Sequence, residues 1–250
     1  MAHPEVDSMI GPEQLPLEKT LKQSIHYRGR KAARAKSEHR RCQILEATLR
    51  IAAREGVRGI KHRPVAKEAG VPLASTTYYF KDIDELICDA FTLFAEKGQQ
   101  HLDRFYDTIN LALDSLPAAT LEWGGPGRDA QVRELATLST AYLSEQLTTR
   151  RHEILAEQAF LLEALRDPRL AKLAQAYRSA WAAGLENALR RLNSLNPARD
   201  AALVISVVLG LGYDDMLFGN GFRREHLEDT MTRLLGMLLG TTPTGQPGKN

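Results

Sequence analysis

Apolar residues return at every third or fourth position along most of this chain, and that spacing limits what it can fold into more than any motif does. The first strong run places Ile44, Leu45, Thr48, Ile51 and Ala52 on one face and stops at Gly56. Two short helical segments follow, 62–69 and 73–80, separated by Gly70, Val71 and Pro72. A long stretch from 84 to about 116 carries Leu86, Ile87, Ala90, Phe91 and Phe94 on one face. The glycine- and proline-rich run LPAATLEWGGPGRD, 116–129, breaks the pattern. Five more helices are expected near 130–148, 151–165, 168–193, 199–218 and 224–239, with Asp167-Pro168 and Asn196-Pro197 marking two of the starts. Nowhere do β-branched residues alternate over a convincing strand, so the expected class is all-α.

A chain of 250 residues has room for two cores. Cys42 and Cys88 both lie in apolar-periodic segments and make no disulfide framework, which points to a reducing cytoplasm. The opening residues, MAHPEVDSMIGPEQLP, lack the basic and apolar regions of a secretory signal. The longest apolar stretch, 201–212, is interrupted by Ser206 and closed by Asp214 and Asp215, short of the roughly 20 residues a span requires, so no membrane role is expected. No phosphate-cradling glycine loop, H-E-x-x-H, G-x-S-x-G or metal-spaced cysteine pair is present. His101 with Asp103 and His152 with Glu153 are near in sequence but do not converge on a helix. No catalytic, metal or cofactor site is therefore expected.

Charge is unevenly spread. Residues 20–63 hold thirteen Lys or Arg against Glu38, Glu46 and Glu55, a net +10, which leaves −8 for the rest of a chain whose total is +2. A basic front on an acidic body suits a protein with one end facing nucleic acid. Within it, 27–41 has seven basic residues and one acid. It reads either as an arm along the phosphates or an adjacent minor groove, or as a solvated tail.

The segment VAKEAGVPLASTTYYF, 65–80, carries the most specific signal. Two helices that cross closely need a small residue at the contact, here Ala66, and the turn needs one tolerant of positive φ, here Gly70. Val71 plugs the turn, Pro72 suits the first turn of the next helix, and Val65, Thr76 and Tyr79 fall at inward spacing. Leu73, Ala74, Ser75, Thr77 and Tyr78 are then left to meet a major groove.

Residues 44–91 resemble the tetracycline-repressor (TetR) family in three consecutive elements: the helix ILEATLRIAAREGV, the segment just described, and KDIDELICDAF. The resemblance implies a DNA-binding transcriptional repressor, with His62 and Arg63 at the start of the first motif helix and Leu73, Ala74, Ser75, Thr77, Tyr78 and Tyr79 on the recognition helix. The family usually has a tyrosine where this chain has Thr77, and a lysine where it has Ile83. Lys81 stands near enough to take over that phosphate contact. The resemblance also implies that the apolar helices from Ala201 and Leu227 pair with their copies in a homodimer that reads palindromic double-stranded DNA. It further implies that a small-molecule effector binds between about Leu93 and Trp181. Trp123, Tyr142, Glu157, Gln158, Phe160, Tyr177 and Trp181 are the polar or aromatic candidates there.

The expected organisation is an all-α fold with an N-terminal helix-turn-helix three-helix domain plus C-terminal helical bundle for ligand binding and dimerisation. Its parts are a flexible basic arm (1–36), the DNA-binding domain (37–83), the ligand-binding and dimerisation domain (84–240) and a disordered tail (241–250). A regulator controlled by a protein partner or by no effector, and an all-α enzyme or scaffold without DNA binding, remain as alternatives.

Overall fold

The structure, a computed structural model, describes residues 35–116, 127–218 and 224–240. Its helices are α1 (Ala35–Glu55), α2 (His62–Ala69), α3 (Leu73–Tyr79), α4 (Ile83–Asp114), α5 (Arg128–Thr149), α6 (Arg151–Ala164), α7 (Pro168–Arg191), α8 (Pro197–Phe218) and α9 (Arg224–Leu239), with a 3-10 turn at Val57–Gly59. No strand occurs among the described residues, and the fold is all-α as the spacing predicts.

The helix ends follow local chemistry. Asp82 caps α4 by accepting the Glu85 N–H at 2.8 Å, while the Glu85 carboxylate accepts the Lys81 N–H. Asp167 caps α7 by accepting from the Arg169 N–H at 2.9 Å, directly ahead of Pro168. Gly70 ends α2 in the left-handed region at φ 65°, where its N–H reaches the carbonyls of Ala66 and Lys67.

Helix α1 starts well before Ile44, so residues 35–41, which charge alone assigns to an arm, are helical. The reason is Arg41. Its side chain is turned inward, 5% exposed, with one guanidinium nitrogen 3.0 Å from Glu38 and another 3.2 Å from Asp89 on α4. The guanidinium also lies 5.7 Å from the centre of the Phe80 ring. Residues 1–34 of the expected arm and the expected tail, 241–250, lie outside the described residues.

Two cores form. The first joins Ile44, Leu45 and Ile51 of α1, Val65 of α2 and Tyr79 of α3 to Leu86 and Phe91 of α4, and continues into Phe160 of α6 and Tyr177 of α7. It therefore does not stop at residue 83, because α6 lies along α1. The second joins the far end of α4 (Ile109, Leu113) to Val132 and Leu135 of α5, Leu189 of α7, Val204 of α8 and Leu227 and Leu234 of α9. Buried Arg128, at the start of α5, donates to the Leu239 carbonyl at 3.0 Å and to the Leu192 carbonyl. A cation there meets the negative ends of α7 and α9 together.

Helix α8 departs from its expected description. The apolar stretch read as too short for a span belongs to a helix of 22 residues, long and apolar enough by length and composition to cross a membrane, and little of it is buried within the chain. Ala201 and Val204 face the core, whereas Leu203, Tyr213, Leu217 and Phe218 are exposed.

The buried pair on α1 and α4 makes a measurable prediction. Arg41→Ala leaves the Asp89 carboxyl buried without its cation in a site that water barely reaches, so it costs about 3–5 kcal/mol in urea unfolding above pH 7, and less at lower pH where Asp89 takes up a proton. Replacing both with apolar groups, Arg41→Met with Asp89→Leu, restores most of that loss.

Candidate DNA-facing surface and ligand cavity

Helices α2 and α3 divide their residues between a buried and an open side. Val65, Ala66, Thr76 and Tyr79 are buried, and the Val71 N–H donates to the Ala66 carbonyl at 3.0 Å, closing the turn. On the other side Arg63, Leu73, Ala74, Thr77, Tyr78 and Lys81 are exposed, with Ser75 and His62 half-buried. Lys61, Arg63, Lys67 and Lys81 are all exposed, and none has a carboxylate within ion-pair distance among the described residues. A small, hydroxyl-bearing helix face flanked by unpaired cations fits close approach to base edges and phosphates.

Two residues of the expected set have other work. Tyr79 is 8% exposed and Tyr78 is 66% exposed, so adjacent phenols take opposite sides. Tyr79 lies three residues after buried Thr76 on the same face of α3, and its hydroxyl meets Ser37 Oγ of α1 at 2.9 Å. Its assignment to the groove-facing set is thereby corrected to an anchor for α3. His62 Nδ1 is 3.1 Å from Thr76 Oγ1. That hydroxyl donates to the Leu73 carbonyl at 2.8 Å, so His62 donates from Nδ1 and pins α2 to α3. No spacing rule signals this bond, which joins residues on separate helices.

The second candidate site is a cavity among α4 to α8 with about 840 Å³ of space between its walls, part of it open to solvent. Tyr142, Glu157, Gln158, Tyr177 and Trp181, five of the expected residues, line it together. Phe160 does not. Its ring is fully buried 5.1 Å from Phe91, in the first core, which corrects its assignment to the cavity. Trp123 lies outside the described residues. The sequence reading missed Phe94 and the α8 residues Val208, Leu209, Gly212 and Met216. Apolar cavity walls carry the same periodicity as core, so nothing in the pattern separates them.

A second cavity, with about 610 Å³ of space between its walls, part of it open to solvent, adjoins the first and shares Tyr142, Leu143, Trp181 and Val208 with it. Here α7 comes very close to Tyr106. A Cβ on Gly184 would sit 2.3 Å from the Tyr106 ring, so only glycine admits the ring at that point. The Tyr106 hydroxyl donates to the Trp181 carbonyl at 3.3 Å.

Glu157 dominates the electrostatics of the first cavity. It is 6% exposed, and its Oε1 has no hydrogen-bond partner among the described residues. Burial pushes its carboxyl up to about 7, against the opposing pull of the Tyr177 hydroxyl and the Arg178 guanidinium. Burial, together with the Glu157 charge, raises the Tyr177 phenol in turn, and burial pushes the Tyr142 phenol up to about 12. Arg150 also lines the cavity, but its guanidinium is engaged by Gln146 Oε1 at 2.9 Å and by Glu153. Among the described residues no group of three or more His, Cys, Asp or Glu side chains converges to hold a metal.

Known proteins resemble both halves. A family profile described as "Tetracyclin repressor-like, C-terminal domain" matches residues 130–237. The HTH-type transcriptional regulator PksA of Bacillus subtilis (strain 168) is 45% identical over 60 residues, 24% of this chain and 29% of that one. The match thus spans under a third of that relative's length. A TetR-family structure from Streptomyces coelicolor A3 superposes with a TM-score of 0.55 at 26% identity, covering 78% of this chain and 97% of its own. The multidrug binding protein EbrR complexed with ethidium superposes with a TM-score of 0.52 at 26% identity, over 78% of this chain and 97% of its own.

The buried carboxyl sets a pH dependence. Its pKa is higher in the folded chain than when exposed, so folding holds the proton and its stabilisation fades as pH rises from about 4.5 through 7. The neutral isostere has no charge to bury. Glu157→Gln is therefore expected to match the parent near pH 4.5 and to exceed it by about 1–3 kcal/mol above pH 7, measured by chemical denaturation across that range.

Proposed function

The chain belongs to the tetracycline-repressor (TetR) family of transcriptional regulators, and from that premise we propose that it is a cytoplasmic repressor which holds a palindromic operator as a homodimer and releases it when a small molecule fills the cavity among α4 to α8. The observation that carries the reading is the division of α2 and α3, with Val65, Ala66, Thr76 and Tyr79 locked inward and Arg63, Leu73, Ala74, Thr77 and Tyr78 left open. Residues 37–83 serve as the DNA-binding part and 84–240 as the ligand-binding and dimerising part. Family members are regulators rather than enzymes, and the reading assigns the chain no reaction.

Dimerisation is supported by α8. A helix this apolar, with Leu203, Tyr213, Leu217 and Phe218 exposed, leaves a face that a single copy does not cover. Exposed Met237 on α9 supplies further apolar surface for a paired arrangement. Two helix-turn-helix units held by a two-fold axis read two half-sites only at a separation matched to the DNA repeat.

Effector release is supported by the walls of the cavity. Phe94 and Tyr177, 5.7 Å apart between ring centres, line the cavity and belong to the first core, which also carries α1 to α3. A ligand that prefers a different packing of these rings prefers a different placement of α2 and α3, and lowers DNA affinity by that difference. The similar EbrR structure, a multidrug binding protein complexed with ethidium, supports a small-molecule ligand for a chain of this fold.

Selection of bound fragments from genomic DNA by the purified protein tests the reading and supplies the operator. Arg63→Ala is expected to weaken operator binding about tenfold to a hundredfold and to flatten its dependence on salt. Failure to enrich any palindromic fragment at low ionic strength would sink the proposal. Leu203→Glu with Leu217→Glu is expected to shift the sedimentation coefficient to that of a monomer and to abolish cooperative occupation of the two half-sites.

A further inference from the structure

The basic run at 27–41 is left unused by the division of α2 and α3. It holds seven basic residues and one acid. Arg41 is withdrawn from it, turned inward onto Glu38 and Asp89, and Glu38 faces that same guanidinium. Six cations remain: Arg28, Arg30, Lys31, Arg34, Lys36 and Arg40. Arg40 is exposed and has no carboxylate within ion-pair distance among the described residues.

The structure fixes the point to which this run is attached. Ser37 Oγ, in the first turn of α1, meets the Tyr79 hydroxyl at 2.9 Å, and one turn later the Arg41 guanidinium lies 5.7 Å from the centre of the Phe80 ring. Tyr79 and Phe80 close the carboxyl end of α3. Tyr78, the open phenol of that helix, stands edge-on to Tyr79 with 5.0 Å between ring centres. Helix α1 therefore begins beside the end of α3, one aromatic ring away from the side left open for a groove. Five residues carry the chain from Arg30 to Ala35, about 17 Å when extended. Half a turn of duplex, the step from a major groove to the next minor groove, is also about 17 Å.

The order of residues favours that minor groove over phosphates alone. Gly29 stands between Arg28 and Arg30, and a residue without Cβ lets the backbone approach a groove floor while its two neighbours run along it. A narrow A·T-rich minor groove concentrates negative potential and attracts arginine in particular.

We propose that residues 28–34 are a second DNA-binding element, with Arg28, Gly29 and Arg30 seated in an A·T-rich minor groove next to the half-site entered by α3, and Lys31 and Arg34 on the phosphates between. The proposal rests on the DNA-binding reading above and adds to it base pairs that α3 does not touch.

The test titrates the palindromic fragment recovered by genomic selection with full-length protein between about 50 and 200 mM salt, and footprints the complex with hydroxyl radical. Arg28→Gln combined with Arg30→Gln, Lys31→Gln and Arg34→Gln is expected to lower the salt slope by about 4 or more per dimer and to weaken binding at least about a hundredfold near 0.1 M salt, since each neutralised phosphate contributes about 0.9 to the slope. Protection of the flanking minor groove disappears with it, while protection of the half-sites remains. With the parent, exchanging flanking A·T pairs for G·C weakens binding about tenfold, and inosine·cytosine pairs, which lack the minor-groove amino group, restore it. Gly29→Val keeps every charge and most of the salt slope but loses that flank preference. An unchanged slope and footprint in the four-site variant, the behaviour of a solvated tail, would overturn the proposal. So would a lowered slope without flank preference and without response to Gly29→Val, which is phosphate attraction alone. A parent that protects half-sites but no flank removes this element and keeps the DNA-binding reading, whereas a parent that protects no palindrome removes both.

Discussion

The structure depends on α4 serving two cores at once. A helix of 32 residues is about 48 Å long, and this one gives Leu86, Ala90 and Phe91 to the core that holds α1 to α3 and Ile109 and Leu113 to the core that holds α8 and α9. Its start is fixed by the Asp82 cap and by Arg169 of α7, whose guanidinium lies 3.0 Å from Asp84. Near the middle, Phe91 and Phe94 pack on Phe160 and Tyr177. No loop interrupts it between Ile83 and Asp114, so the ring cluster and both cores share one continuous helix.

Around that helix, charge is buried where geometry demands it. Arg41 crosses from α1 to Asp89 and lies against the Phe80 ring, which ties α1 and the end of α3 to α4 by a directional contact. Arg128 ties the ends of α7 and α9 to the start of α5. Burial pushes the Asp89 carboxyl up to about 7 even beside a guanidinium, so these contacts cost desolvation and return orientation rather than large net stability.

Much of the fold was legible because its signals are local. Apolar spacing located every helix after α1 to within a few residues, Gly70 marked the left-handed turn, and Asp167 with Pro168 marked the start of α7. Inward spacing already set Tyr79 apart from Tyr78, but its partner Ser37 on α1 lies 42 residues away and carries no local signal. The pairing of Arg41 with Asp89 was equally out of reach, because a basic run reads as solvated unless the partner helix is known to lie beside it. The resemblance placed the cavity between about Leu93 and Trp181, and five of the seven residues chosen there line it, but the pattern could not distinguish Phe160, which faces Phe91, from Glu157 one turn earlier. The contribution of α8 was hidden altogether, since its lining residues are aliphatic.

Tyr177 stands in the wall of the cavity and in the core that holds α1 to α3. Its ring contacts Phe91, Phe94 and Trp181. Under the ligand-released repression proposed above, a change at this residue that recarves the chamber for a new compound also resets the resting poise of the switch, since both draw on one side chain. Ser139, Val208 and Leu209 line the chambers without belonging to that ring stack, so on the same proposal they are the easier route to new ligand chemistry.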